Sequence, residues 1–504
     1  MSGSLGGRAK SGQGAWLKLL LVLIPGLLLA VLLGLVSSTG SYFLIGILSG
    51  LLLTVGVAMF PRLLLWTTIV GGMVVSGAVA LYLPQFQFVS WLVAGSSGLL
   101  MLYVGREFFR LNANQAVKSY TPNLIHLALL FLLLVLVSTL INQATLGTTI
   151  SGVKGYFQIW PLMFALALIR WDEKTMLAVP KVMMWVALIQ LPFVFHQYWV
   201  LVPERVGVGF GIVPVDVVAG TFGAEKMGGG ANATLAIFMI LVWTVLLAEW
   251  KYKRITGLRF GLLSPVLLTP LFLNESKLAV LYIAIVFLVL FKEDLQKRFH
   301  VFVVGSVTVS LVIFALLTSY VAIHADEGNV TMDSYIQETI DQNFSDKRTT
   351  RWSYELNRSS VYGFWAEKHG LEDPLHSFIG HGLAQSRASS GVIKVSNLAT
   401  NQYQFMGIGQ VSASALLWDV GLFGFLLVMG MFWWAWQATK ELSRYFQDQP
   451  EMFALFRGLQ AIVPGLVISL AHKDLFLVAL PTQTLILGLL GYIAYWQRNI
   501  NERR

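Results

Sequence analysis

The chain has 504 residues, of which 56% are hydrophobic and only 12% are charged. Soluble globular proteins have about 25% charged residues, so this composition excludes an ordinary water-soluble protein. The formal net charge of +9 does not indicate a nucleic-acid partner, because most of the excess Lys and Arg lies in short turns between hydrophobic segments. The chain contains no cysteine, which excludes disulfides, iron–sulfur clusters and thiolate zinc sites.

Hydrophobic segments of membrane-spanning length follow one another along almost the whole chain. A bilayer core takes about 20 apolar residues per helix, and the first segment lacks a small-residue cleavage site, so we expect it to be retained. We predict an all-α polytopic membrane protein with about fourteen transmembrane helices and one large helical periplasmic loop. The predicted spans lie near 16–36, 42–60, 63–83, 88–104, 124–141, 156–169, 176–202, 231–249, 258–273, 277–291, 301–323, 411–434, 455–470 and 475–496.

The predicted organisation has five parts. Residues 1–15 are rich in glycine and serine and are expected to form a disordered cytoplasmic segment. The first transmembrane region, 16–323, is expected to contain about 11 helices. It is followed by the periplasmic loop 324–410, the C-terminal transmembrane helices 411–496 and a cytoplasmic tail, 497–504.

Positive charges are concentrated in alternate turns, as is typical of cytoplasmic loops. With the N-terminus inside, these turns contain Arg62, Arg106, Arg110, Lys118, Arg170, Lys174, Lys251, Lys253, Arg254, Lys292, Lys297, Arg298, Lys440, Arg444, Arg498, Arg503 and Arg504. The opposite short connections contain only Lys154, Arg205, Lys226 and Lys473. We therefore predict a multi-pass protein of the bacterial inner membrane with both termini in the cytoplasm.

Two predicted external loops are long. The first runs roughly from Pro203 to Gly230 and is rich in glycine, and the second, 324–410, is far longer than a connector needs to be. Apolar residues recur at helical spacing after Thr350, so we predict an amphipathic helix from there to about Lys368, capped by Thr349 or Thr350. The cations on or beside this helix are expected to form an anion site: Arg348, Arg351, Arg358 and Lys368.

Turn motifs follow this predicted helix. Pro374-Leu375 precedes Gly380-His381-Gly382, a turn pattern that is weakly specific by itself. The order of these features, however, resembles the external loop of the O-antigen ligase and O-antigen polymerase superfamily. In that order come an arginine, three residues, a tryptophan, a helix, Pro-Leu and Gly-x-Gly.

Three further segments carry the same resemblance. Asn274 to Ala279 resembles the Ser-Arg-Gly-Ala signature of that superfamily, with Lys277 in place of the usual arginine. Gly220-Thr221-Phe222-Gly223 resembles its Gly-Thr-Phe-Gly-Asn-Pro-Asn segment. Gln410 to Gly424 resembles the ligase signature of a histidine, a polar residue, nine residues and Gly-x-x-Gly. The resemblance covers roughly 200–425.

Two departures from the pattern bear on function. Gln410 stands where ligases have their histidine, and an amide cannot act as a general base, so a ligase is disfavoured. Lys277 keeps the positive charge of the arginine that it replaces but loses its bidentate geometry.

The resemblance implies an inverting, metal-independent glycosyltransferase that needs no cofactor. Its donor would be an undecaprenyl-diphosphate-linked oligosaccharide, and its product a longer glycan on an acceptor repeat unit. Diphosphate is a good leaving group, so the enzyme has mainly to neutralise negative charge, position the acceptor and exclude water.

Specific residues are expected to meet these demands. The predicted catalytic residues are Lys277, Arg348, Arg351, His381 and Glu275, and the predicted substrate-binding residues are Arg205, Arg358, Trp352, Gln410 and His376. A mild base would help to remove the acceptor proton, and His381, His376, Glu275 or Asp419 could supply it. Trp352 and Trp365 are expected to stack on sugars.

Two other functions stay open at this point. A ligase would move finished glycan to a lipid or protein acceptor. A transporter or flippase of lipid-linked oligosaccharide also has many spans, although it would more often show an internal repeat and charges at mid-span. Besides the lipid-linked donor and membrane lipids, a chain-length regulator and a flippase are the expected partners of a polymerase, and no nucleic acid is expected.

Overall fold

The computed structural model describes residues 59–113, 120–206, 213–223, 230–323, 331–344, 356–370, 372–387 and 395–504, with residues 31, 34, 35 and 38. The chain divides into two compact units, Met1–Phe60 and Pro61–Arg504, and the elements below belong to the second. The predicted segment 1–15 and the predicted spans near 16–36 and 42–60 lie almost entirely outside the described residues.

The described residues are 80% helical and contain no strand. Their α-helices, numbered in chain order, are α1 Pro61–Val70, α2 Ser76–Tyr82, α3 Val89–Ala113, α4 Asn123–Ile141, α5 Leu146–Phe157, α6 Trp160–Leu168, α7 Glu173–His196, α8 Val202–Arg205, α9 Ala231–Lys251, α10 Gly257–Leu273, α11 Leu278–Lys297, α12 Phe299–Ile323, α13 Met332–Phe344, α14 Ser360–Lys368, α15 Pro374–Ile379, α16 Leu398–Asn401, α17 Ser412–Tyr445, α18 Pro450–Ser469 and α19 Leu480–Arg503. A π-helical turn, Gly71–Val75, joins α1 to α2, and another, Gln197–Leu201, joins α7 to α8.

The protein is an all-α membrane protein. Within the part of the chain that the structure describes, eight helical segments are long and apolar enough to cross a bilayer. They are Pro61–Tyr82, Pro84–Arg110, Asn123–Ile141, Glu173–Arg205, Ala231–Lys251, Phe299–Ile323, Ser412–Tyr445 and Pro450–Ser469. The predicted count of fourteen is therefore not confirmed.

The bundle is built around α9, whose apolar window is 89% buried. Helices α18, α10 and α11 pack against it, and α17 packs on α18. At the periphery, α12 has only 6% of its window buried and presents most of its surface outward. We call the end of the bundle that carries residues 331–410 the loop end and the opposite end the C-terminal end.

The predicted span 156–169 is wrong as a single helix. Two short helices, α5 and α6, meet at Gln158 and Ile159, where the helix is broken. Pro161 fits the first turn of a new helix, where its missing N–H costs nothing. Side chains satisfy the polar groups at the break, since Gln158 Nε2 donates to Val478 O at 3.0 Å and Gln483 Nε2 donates to Gly155 O at 2.7 Å.

Two predicted segments differ in extent from the helices of the structure. The span 176–202 extends from Glu173 to Arg205, because the π-helical turn continues the helix and Pro203 occupies the first turn of α8. The predicted tail 497–504 is helical as far as Arg503, and Arg498 is buried, with Nη1 donating to Ala167 O at 2.9 Å.

The predicted helix from Thr350 to Lys368 is shorter where it is described. Residues 345–355 lie outside the described residues, and α14 begins only at Ser360. The side chain of Asn357 accepts from the N–H groups of Ser359 and Ser360 at 3.0 and 2.8 Å. This Asx-type turn competes with helix, so the chain becomes helical only after it.

Candidate functional site

A group of buried and half-buried charged side chains lies at the loop end, where the ends of several helices meet. Arg205, Lys277, Arg358 and Lys473 interact electrostatically with Asp216. We call these five residues the cation cluster. Each member comes from a different segment of the chain, so the fold itself assembles the group.

Lys277 is positioned by a tight turn between α10 and α11. Asn274 is fully buried, and its Oδ1 accepts from Ser276 N at 3.2 Å. Asn274 and Asn232, at the start of α9, exchange hydrogen bonds between side-chain amide and backbone carbonyl at 3.1 and 3.2 Å. Tyr320 donates to Leu271 O at 2.9 Å beside this turn. The turn is thus fixed to two helices, and Lys277 stands at the N-terminal end of α11.

Glu275 occupies the centre of this turn in a left-handed conformation, with φ +49°. A residue other than glycine in this region is strained, and such strain is often found at functional sites. Tyr335 of α13 donates to Glu275 Oε1 at 2.8 Å, and Lys277 Nζ lies 3.9 Å from the same oxygen. Lys277 Nζ also lies 4.5 Å from the centre of the Tyr335 ring. The carboxylate and the aromatic ring therefore both face the ammonium group.

Asp216 lies in the short helical turn Pro214–Val217, in a segment wedged between α2 and α7. Further along this segment, the hydroxyl of Thr221 donates to Met73 O at 2.8 Å, and Gln190 Oε1 accepts from Thr221 N at 2.8 Å. A methyl group added to Gly77 would lie 2.1 Å from Thr221 O, so only glycine allows this approach. The Gly-Thr-Phe-Gly motif thus anchors the segment that carries Asp216.

Asp216 receives a hydrogen bond from Asn232 Nδ2 at 3.0 Å. Burial raises the pKa of Asp216, whereas Lys473 and Arg205 lower it and Glu275 raises it. The net shift is upward. A carboxyl group with a raised pKa holds a proton more readily than an ordinary aspartate does.

Arg358 is held beside α13 and the turn after α18. Its Nη1 donates to Asn343 Oδ1 at 3.0 Å and contacts His472 Nδ1 at 2.8 Å. Because a guanidinium can only donate, His472 Nδ1 accepts and is unprotonated. Burial, followed by the charges of Arg358, Lys473 and Lys277, lowers the pKa of His472 well below its ordinary value. His472 is therefore neutral at neutral pH.

Lys473 follows His472 and faces the start of α9. A methyl group added to Gly230 would lie 3.1 Å from Lys473 Nζ. The backbone of Lys473 is fixed by Ser412, since both Ser412 N and Ser412 Oγ donate to Lys473 O. Burial lowers the pKa of Lys473, and Asp216 opposes this shift.

The cation cluster carries more positive than negative charge. Four cations lie near three carboxylates, Asp216, Glu275 and Glu338, and the nearby imidazole of His472 is neutral. Charged groups in a poorly hydrated site interact more strongly than in water. The arrangement is suited to binding an anion with more than one negative charge, such as a diphosphate.

The structure brings together four of the residues that the sequence predicted for this site: Arg205, Lys277, Glu275 and Arg358. Arg348, Arg351 and Trp352 lie outside the described residues, so their assignment stays a prediction.

Gln410 contacts the backbone of a segment that carries one of the cations. Its Nε2 donates to Leu356 O at 2.9 Å, two residues before Arg358. Two residues after Gln410, Ser412 binds the backbone of Lys473. Gln410 thus links the segments that present two of the cations, which is a positioning role.

The predicted bases His376 and His381 lie in a second group, with His369 and Asp373. His376 Nδ1 lies 2.5 Å from Asp373 Oδ2, and its Nε2 lies 2.8 Å from Asn142 Oδ1. The Asn142 amide donates to Ser138 O and Gly380 O, which fixes its oxygen toward His376. Both nitrogens of His376 therefore face side-chain oxygen atoms.

The other two histidines of this group are neutral. His369 Nδ1 lies 2.9 Å from Trp365 O, which can only accept, so His369 Nε2 must accept from His381 Nε2 at 2.8 Å. The His381 ring stacks on that of His376, with centroids 4.0 Å apart. Burial is the largest cause that lowers the pKa of His381 to about 3. His381 is consequently a weak base at neutral pH.

Asp419 and Trp365 fix the loop to the bundle. Asp419 is fully buried; its Oδ2 accepts from Tyr156 at 2.5 Å and its Oδ1 accepts from Ser386 N at 2.7 Å. Trp365 Nε1 donates to Leu417 O at 3.1 Å, and its ring packs against the small core of Trp418 and its neighbours. These contacts indicate structural roles, rather than the base and the sugar platform that the sequence suggested.

Sequence reasoning missed Asp216, Lys473, His472 and Tyr335 as members of the site. Lys473 carried a usable signal, because it is one of few cations in the predicted external connections. His472 and Tyr335 carried none, since only the fold brings them to Arg358 and Glu275.

Among the described residues, no group of three or more His, Asp or Glu side chains is arranged to hold a metal ion. No protein-family model matches the sequence, and no curated protein is significantly similar to it.

Proposed function

We propose that the protein is a polysaccharide polymerase that transfers lipid-diphosphate-linked glycan onto an acceptor repeat unit. In this proposal the chain crosses the bacterial inner membrane about fourteen times, with both termini in the cytoplasm and the loop end in the periplasm. The observation that carries the proposal is the cation cluster, in which one buried and three half-buried cations lie beside the carboxylates of Asp216, Glu275 and Glu338. Undecaprenyl diphosphate is an anionic leaving group that requires such a site.

The reaction breaks the bond between the anomeric carbon of the donor sugar and a diphosphate oxygen. The acceptor hydroxyl oxygen attacks that carbon from the opposite face, so the configuration inverts. Lys277, Arg358 and Lys473 stabilise the negative charge that develops on the diphosphate. Asp216 accepts the acceptor proton, because its raised pKa makes it a better base than an ordinary aspartate.

The position of the cluster favours an enzyme over a transporter. Transporters commonly bind their substrate near the bilayer midplane, between repeated halves of the fold. Here the charges gather at helix ends beside a structured loop. A donor lipid can keep its prenyl chain in the membrane while its diphosphate reaches this level.

The proposal is tested by removing single charges from the cluster. Lys277→Ala and Arg358→Ala should each lower the rate of polymer formation roughly a hundredfold to a thousandfold, equivalent to about 2.7–4 kcal/mol of transition-state stabilisation. Cells that carry either variant should accumulate the lipid carrier bearing a single repeat unit, measured by mass spectrometry of extracted lipids. Lys368→Ala is the matched control, because Lys368 is an exposed cation on α14 that pairs with Glu367.

Other outcomes would identify a different function. Long glycan that remains on its lipid carrier would indicate a ligase, and repeat units retained on the cytoplasmic face would indicate a flippase. Normal polymer length in both variants at normal membrane levels would contradict the assignment of the site.

A further inference from the structure

A basic cavity lies at the C-terminal end of the bundle, at the far ends of α11, α17 and α18 from the cation cluster. It has a volume of about 560 Å³. Four cations line it: Lys292, Lys440, Arg444 and Arg457. Glu293 is the one carboxylate in its lining, so the cavity carries a net charge of +3 (four cations less one carboxylate).

Arg457 forms the fixed part of this cavity. Its side chain is only 15% exposed. Nε donates to Tyr252 Oη at 3.2 Å, Nη1 to Gln460 Oε1 at 3.2 Å and Nη2 to Glu293 Oε1 at 2.8 Å. Three of its five N–H donors are used in this way, which holds the guanidinium rigidly in the wall.

The other three cations are exposed around the cavity. Across the residues that the structure describes, Lys292, Lys440 and Arg444 make no ion pair or side-chain hydrogen bond. Basic residues at a cytoplasmic helix end satisfy the positive-inside rule and complement the helix dipole without any ligand. Neither effect requires them to converge with a buried arginine on one cavity.

Apolar side chains lie one helical turn deeper on the same helix faces. Leu288 precedes Lys292 by four residues on α11, and Trp436 precedes Lys440 by four residues on α17. Residues at this spacing lie one above the other on one face of a helix. The cavity therefore has a charged rim at the end of the bundle and an apolar wall toward the middle of the bundle, an arrangement that matches a charged headgroup above hydrocarbon chains.

We propose that this cavity binds the phosphate headgroup of an anionic phospholipid. Basic pockets between transmembrane helices commonly bind such headgroups. The apolar wall at Leu288 and Trp436 favours a lipid over a free phosphate ion, because a free ion gains nothing from it. The site is independent of the proposed polymerase activity and lies at the other end of the same helices.

The test uses the purified full-length protein and two phospholipids with identical chains, phosphatidylglycerol and phosphatidylcholine. Native mass spectrometry should show tighter binding of phosphatidylglycerol. The double variant Lys440→Gln/Arg444→Gln should weaken that binding roughly thirtyfold, because each cation near a membrane surface contributes about 1 kcal/mol. The double variant Lys253→Gln/Arg259→Gln is the matched control, since it removes the same two charge types at the same end but outside the cavity.

The proposal is overturned if the affinity for phosphatidylglycerol falls equally in both double variants, because the general surface charge would then explain the binding. It is also overturned if neither variant loses it. A third arm adds soluble glycerol phosphate as a competitor. Displacement of phosphatidylglycerol at millimolar competitor would assign the cavity to a free phosphate and contradict a lipid occupant, whereas retention supports it.

Discussion

Arg358 and His472 show how single residues set the charge of the cation cluster. Burial lowers the pKa of Arg358 to about 10, and Asp216 opposes this shift, so Arg358 stays charged at neutral pH. His472 accepts a hydrogen bond from Arg358 and stays neutral. The positive charge of the cluster thus comes from arginine and lysine and not from histidine.

The histidine pair of the loop should make stability sensitive to acid. The pKa values of His369 and His381 in the folded protein lie below the ordinary value of about 6.5. Between about pH 6.5 and the lower folded values, the unfolded chain binds more protons than the folded chain, so stability falls as pH falls. Melting temperatures between pH 8 and pH 5 should show this decline.

The variant His381→Gln should flatten that decline, because an amide can still donate to His369 and does not titrate in this range. His300→Gln, on the exposed face of α12, is the control and should leave the slope unchanged. Limiting the measurement to pH 5 and above avoids the pH range in which protonation of Asp373 also changes stability. Burial raises the pKa of Asp373, but its hydrogen bonds with His376 outweigh this effect, so the net pKa shift is downward. The contribution of Asp373 to folding stability is therefore lost only at lower pH. An unchanged slope for His381→Gln would contradict the assigned protonation states.

At the scale of elements, the loop and α17 are joined through two glycines. Gly380 and Gly421 have φ of +73° and +66°, and Gly421 marks a kink within α17. A methyl group on Gly380 would lie 2.4 Å from the backbone of Asp419, and one on Gly421 would lie 2.4 Å from that of Phe378. The Gly-x-Gly and Gly-x-x-Gly motifs thus contact each other directly.

Gly380→Ala and Gly421→Ala should each lower stability. The left-handed backbone alone costs about 1–3 kcal/mol for a residue with a side chain, and the backbone clash adds to this. Gly261→Ala is the control, because a methyl group there meets nothing within 4 Å and the helix interior favours alanine by roughly 0.5–1 kcal/mol. Thermal unfolding followed by circular dichroism would measure the difference, and equal melting temperatures for all three variants would contradict this packing.

Hydrophobic pattern predicted most helices but not where they break or continue. The break at Gln158 depends on Val478 and Gln483, which are distant in sequence. The extension of α7 to Arg205 depends on a π-helical turn, and Pro203 looked like a helix breaker in the sequence alone. Each of these features is decided by tertiary contacts, which local periodicity does not contain.

At the scale of the whole molecule, the two ends of the bundle should face opposite sides of the membrane. The positive-inside pattern predicts that 324–410 is periplasmic and that the turns 105–123 and 250–258 are cytoplasmic. Alkaline phosphatase fused within 324–410 should be active, and the same reporter at 250–258 should be inactive. Activity from the 250–258 fusion would reverse the orientation and place the cation cluster in the cytoplasm.

Part of the candidate site was predictable from the sequence. Arg205 could be selected because cations are scarce in the predicted short external connections, Lys277 because it lies in the segment that resembles the Ser-Arg-Gly-Ala signature, and Arg358 because it lies in a cluster of cations in the large loop. Asp216 and His472 could not, because their roles depend on burial beside those cations. Composition and charge distribution thus predicted some of the residues that the fold brings together, and the remaining ones follow only from the fold.

Near the kink at Gly421, two N–H groups of the loop form hydrogen bonds with the backbone of α17. The carbonyl groups of Trp418 and Asp419 accept from His381 N and Gly382 N, both at 2.9 Å. Those amides lie in a loop by sequence, yet their partners lie in a transmembrane helix. The N–H hydrogens of these two residues should exchange with deuterated solvent only when the kinked part of α17 unfolds locally. We therefore expect them to be among the most slowly exchanging hydrogens of the bundle.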